Sequence, residues 1–122
     1  MRPTGAALLL TILGRAAPAA PGPDPNDLTA LREDARVAMK PCGRCHDAAQ
    51  KSAVPAALEK FDLDQVDWAS ALTESKLRFI RDRFADAKMT GSERLRVETY
   101  LTAEWARRAV LPPEVRNRER AP

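Results

Sequence analysis

Cys42-Gly43-Arg44-Cys45-His46 is the stretch on which the reading of this chain turns. Two thiols three positions apart lie on nearly the same face of a helical turn, so both can add to the two vinyl edges of one porphyrin. His46, next in sequence, can then aim an imidazole nitrogen at the iron those thioethers hold in place. The chain has two cysteines and one histidine, and all three fall within these five residues. The spacing therefore points to Cys42 and Cys45 as covalent attachment points for one c-type haem, with His46 as its proximal iron ligand.

Three other uses of the motif fit less well. A four-ligand structural zinc site would need a donor that this chain supplies only from a carboxylate. A thiol oxidoreductase needs an alternation of strands and helices around its cysteine pair, and the sequence shows no such alternation. A disulfide between Cys42 and Cys45 would close a very short loop, where the gain in chain entropy is least and the strain greatest.

Working outward toward the start, Pro21-Gly22-Pro23-Asp24-Pro25 reads as a linker ending at Asn26. Residues 1–20 before it resemble a secretory signal. Arg2 is the positive flank, Ala6 to Leu13 the apolar run, and Ala17-Pro18-Ala19 a small-x-small cleavage pattern. An uncleaved anchor is the alternative, although the apolar run is too short to span a bilayer. No other transmembrane candidate follows. Export to the periplasm suits the cysteines, since thioether attachment takes place outside the bacterial cytoplasm.

At 122 residues the chain holds one domain at most. Aromatic residues make up 5% of it, which leaves little bulk to fill an interior, so a covalently held macrocycle would act as the staple that small scaffolds need. The formal charge of +3 does not argue for nucleic acid. Loss of Arg2 and Arg15 with the signal leaves 18 basic against 17 acidic side chains. The remaining basic residues near the end, Arg107, Arg108, Arg116, Arg118 and Arg120, are mixed with Glu104, Glu114 and Glu119 and read as a solvated tail.

The apolar pattern predicts helices only. Asn26 or Asp27 caps a first helix running to about Met39, with Leu28, Leu31, Ala35 and Ala38 on its buried face. Pro41 breaks it and opens the new turn that carries the motif. Pro55 begins a short helix to Phe61, and residues 62–68 form a loop with its apolar members turned inward. Asp62, Asp64 and Asp67 lack the glycine and closing glutamate of a calcium loop and read as solvated. Thr73 caps a helix carrying Leu77, Ile80 and Phe84, with Leu72 and Leu77 as a hydrophobic staple. Thr90 and Glu93 form a capping box for a last helix bearing Val97, Leu101 and Trp105, with Leu95 and Tyr100 alongside. Pro112 and Pro113 end that pattern, and residues 111–122 are expected to be a disordered polar tail.

With these elements in place, residues 27–110 resemble a small bacterial class I, monohaem cytochrome c. The likeness is carried by the Cys42 to His46 motif after an N-terminal helix, by Met89 at 43 residues past His46, and by a final helix containing Tyr100-Leu101. It implies an all-α fold of three to four helices around one covalently attached haem, with the first and last helices crossing beside the haem edge. The aromatic usual in the family's first helix is Ala38 here, so Trp105 or Tyr100 is expected to fill the crossing.

The resemblance also implies Met89 as the distal iron ligand, and a backbone carbonyl near Val54-Pro55 as acceptor for the other ring nitrogen of His46. For the sixth iron position Met39, a water or an open site are the alternatives, and Met89 could equally plug the junction of two helices. The function implied is periplasmic electron transfer by a monomer, with membrane or periplasmic redox proteins as partners and an electron port near Gly43 and Arg44. No acid-base pair marks it as an enzyme in its own right. The alternatives are a haem-based gas or redox sensor with an open iron position, and a small electron-transfer subunit of a larger oxidoreductase.

Overall fold

Asp27 decides where the first helix starts. In the computed structural model, which describes residues 21–120 apart from Pro23, Ala71 and Ala85, its Oδ1 accepts from the Ala30 N–H at 2.9 Å. That bond satisfies one of the donors a helix leaves open at its first turn. The signal segment proposed for residues 1–20 lies outside the described residues.

Helix α1 spans Leu28–Ala38 and buries Leu31, Ala35 and Ala38. Pro41 then sits in a short 3-10 turn over Lys40–Cys42, and α2 covers Gly43–His46. Proline also opens α3, Pro55–Leu58. Helix α4 spans Glu74–Arg83 from its Thr73 cap, and α5 spans Gly91–Ala109 from a complete Thr90–Glu93 capping box. The described residues form helices and connecting turns with no strand, so the all-α class holds.

The α1–α5 pair is the most extensive contact in the molecule. Ala35, Ala38, Val97, Tyr100 and Leu101 belong to its buried cluster. Tyr100 is among the largest fully enclosed side chains, whereas Trp105 is only partly buried, so the tyrosine supplies the bulk that the sequence left open between them. A bidentate ion pair from Arg96 to Asp34, 2.9 Å from Nε to Oδ2, ties the two helices at their edge.

The described residues form six helices where three to four were expected, and α3 stops at Leu58, short of Phe61; four further departures concern packing, charge and the chain's last segment. Leu95 and Val66 face solvent, at 63% and 79% exposure: Leu95 falls off the buried stripe of α5, and Val66 sits in a run of turns with no helical face to bury it. Asp62 is not simply solvated: its Oδ1 accepts from the N–H groups of Ala48 and Asp64. Burial pushes its carboxyl up, but these two backbone donors together with the Gln65 side chain outweigh that and hold the group below the usual range.

Arg108 is the third departure. Rather than joining a solvated tail it is 4% exposed, donating to Glu104 Oε1 at 2.7 Å and to the Leu72 carbonyl at 2.7 Å. The Ala69 carbonyl accepts from it at 3.3 Å. A charge this deep is tolerable only when its donors are used in this way. Finally, Pro113–Arg120 is a helix, α6, where a disordered tail was expected. Proline at its first position and Glu114 in its first turn both favour a helix start.

Candidate functional site

Pro41 and the backbone around it set the pose of the motif. The Cys42 N–H donates to the Met39 carbonyl at 2.8 Å, which closes the 3-10 turn and leads directly into α2. Three successive motif carbonyls are then taken by residues further along. Arg44 O accepts from Ser52 Oγ at 2.6 Å; Cys45 O accepts from Val54 N at 3.1 Å, and His46 O from Leu63 N at 2.6 Å. The segment after the motif thus wraps back and fixes its backbone.

This wrapping leaves one mostly apolar cavity of about 480 Å³ beside the motif. Cys42, Cys45 and His46 all line it, together with Met39 from the end of α1. Ala56, Ala57 and Phe61 contribute from α3 and just beyond, and Phe79, Ile80 and Phe84 from α4 and its C-cap. Lys60 and Arg83 are its cationic lining residues, and it has no carboxylate. The thiol and imidazole residues singled out in the sequence therefore share one space.

His46 is fixed by a single neighbour. Its Nδ1 lies 3.3 Å from the Phe61 carbonyl oxygen, and the Phe61 ring stacks on the imidazole with centroids 3.8 Å apart and planes 3° from parallel. With Nδ1–H donating to that carbonyl, Nε2 is the nitrogen left with a free lone pair. The acceptor is not near Val54-Pro55, as the resemblance implied: the Val54 carbonyl already accepts from the N–H groups of Ala57 and Leu58, and the chain past α3 brings Phe61 back over the ring. Periodicity carries no signal for such a contact between residues fifteen apart.

Both cysteines are free thiols. Burial, with a smaller contribution from Cys45, pushes the Cys42 thiol up from its ordinary value, so it is neutral at pH 7. Among the described residues no three His, Cys, Asp or Glu side chains gather closely enough to hold a metal ion between them.

The two methionines of interest part company. Met39 is fully enclosed and lines the cavity. Met89 is also buried, at 7% exposure, but within the core cluster rather than among the cavity-lining residues. Its N–H donates to the carbonyl of Ala87, which does line the cavity. Gly43, placed near the electron port by the sequence, is buried, while Arg44 is exposed.

Comparison of the chain with protein-family models, with curated proteins and with solved structures finds no match. Among the described residues no helix is long and apolar enough to cross a membrane.

Proposed function

We propose that this chain is a periplasmic electron-transfer protein carrying single electrons on one covalently attached c-type haem, as small class I cytochromes c do. The observation that carries this reading is the convergence of Cys42, Cys45 and His46 on one apolar cavity, with the histidine already engaged through Nδ1. The cavity falls within the range of roughly 300 to 1,000 Å³ usual for cofactor and ligand sites. Its lining suits a flat apolar group better than a polar substrate.

When bound, the haem supplies a reversible one-electron ferric–ferrous couple. Cys42 and Cys45 would hold it as thioethers, which would prevent dissociation. His46 would offer Nε2 to the iron, while the Phe61 carbonyl fixes the imidazole through Nδ1 and raises its basicity. Ile80, Phe84 and Met39 keep water from the site, and a dry surround disfavours the extra positive charge of the ferric state and so raises the potential. Met89, two residues past the cavity-lining Ala87, is proposed for the sixth position. The chain acts as a carrier between redox proteins and not as an enzyme in its own right.

The core placement of Met89 favours one second reading, a haem-based sensor whose sixth iron position is open. Carbon monoxide separates the two: rapid binding by the reduced protein indicates an open position, slow or absent binding a held methionine. The primary test is export of the full chain in cells with haem-maturation machinery. One haem per chain by mass and a c-type absorption spectrum are expected. Colourless exported protein whose thiols are free, or joined only to each other, would sink the proposal.

A further inference from the structure

We infer that Lys60 and Arg83 are the carboxylate-binding edge of this cavity, engaging the two propionates of the haem whose vinyl edge the two cysteines hold. The inference rests on the haem reading and adds to it the partners of the haem carboxylates. Its starting point is the uneven chemistry of the cavity wall. The titratable lining side chains are the two thiols, His46, Lys60 and Arg83. The first three belong to the attachment end, so the two permanent cations have no task there.

Both cations are concentrated around one aromatic ring. The Lys60 Nζ lies 6.0 Å and the Arg83 guanidinium 5.1 Å from the centroid of Phe79, which is itself 48% exposed at the cavity's edge. Neither cation is paired with a carboxylate among the described residues. This contrasts with the other two arginines of α4, where Arg78 is bound to Glu74 and Arg81 to Asp82. Two unpaired positive charges on an otherwise apolar cavity without acidic lining call for a ligand with an apolar body and anionic groups at one edge. A porphyrin with paired propionates has that form: its vinyl edge goes to Cys42 and Cys45, and its carboxylates reach Lys60 and Arg83. Arginine can take a carboxylate in a two-pronged fashion, and lysine as a point charge.

The test uses the full, matured chain. Mass and absorption first establish haem attachment in the parent; a parent without haem overturns the proposed function and this inference together, whereas a haem-bearing parent isolates the inference. The reduction potential is then followed between about pH 4 and 9, where propionate ionisation appears as a step. Lys60→Gln and Arg83→Gln are each expected to move the midpoint of that step upward by about one pH unit, since a carboxylate loses a cation that favoured its charged form. Arg83→Lys is expected to restore it largely. Arg81→Gln, which removes the same charge from the same helix away from the cavity, leaves it in place. A midpoint unmoved in both Lys60→Gln and Arg83→Gln, with haem attached, overturns the inference. So does a result in which these two variants alter only the association with an acidic redox partner, since the cations would then serve protein docking.

Discussion

At the α1–α5 crossing the space between backbones is filled by the chain's own side chains, while beside the motif it is left as a cavity. The crossing encloses Ala35, Val97 and Leu101 completely, caps both helices with side-chain oxygens, and ties its edge with Asp34–Arg96. The motif side has helices of four residues each, held by long-range bonds from turns. The difference teaches that the two regions derive stability from different sources. Helices this short contribute almost nothing alone, so the motif side depends on its backbone lacing and on whatever occupies the cavity.

The largest test of that contrast removes the cavity's anchor. Cys42→Ala with Cys45→Ala is expected to abolish haem attachment completely, measured as loss of the haem mass increment and of absorption in the exported chain. Helical circular dichroism from α1 and α5 should persist better than the structure of residues 40–63, which proteolysis or hydrogen exchange would resolve. Equal loss in both regions would break the comparison.

On the packed side, Arg108→Ala leaves Glu104 with Arg107 alone and takes the donor from the Leu72 and Ala69 carbonyls. It is expected to cost about 1–3 kcal/mol in denaturant unfolding, the usual penalty for leaving a buried hydrogen-bonding group unsatisfied. The same pair gives the crossing an acid sensitivity. Burial raises the Glu104 carboxyl, but hydrogen bonds from Arg107 and Arg108 outweigh it and leave the group below its ordinary value. Its pairing therefore stabilises the fold above the unfolded pKa of about 4.3, and that contribution disappears as the pH falls through the lower folded value. Glu104→Gln should flatten the acid limb of a stability–pH curve while lowering stability at pH 7.

Two smaller effects sharpen the picture. Thr90→Ala removes one half of the capping box and should cost about 1 kcal/mol, read from the shift in unfolding midpoint. Gly43→Ala should change stability by less than about 0.5 kcal/mol and leave haem attachment intact. A methyl there meets Asp47 only at ordinary contact distance, 3.7 Å, and the glycine's backbone is already helical.

Much of this architecture was legible from local chemistry. Asp27, Thr73 and Thr90 announced their helices because capping acts over three residues, and Leu77, Ile80 and Phe84 marked a buried stripe by spacing alone. Cys42, Cys45 and His46 stood out because the proposed thioether attachment would require that separation. What could not be read were contacts between distant turns. Phe61 over His46 and Arg108 beneath Leu72 depend on how loops fold back, which neither periodicity nor capping encodes. The short Glu104–Arg108 spacing was a usable hint of an ion pair, though not of its depth. Lys60 and Arg83 gave no sign at all, since exposed cations on helices and turns are ordinary until a cavity is seen beside them.

The three carbonyls of Arg44, Cys45 and His46 are held by Ser52, Val54 and Leu63, all of which leave the ribosome after them. A nascent chain that has reached only Lys51 lacks every one of these three partners and would present its two sulfurs on a slack peptide. On the proposed haem reading, the order of the residues therefore favours attachment to the open peptide before Leu63 closes it.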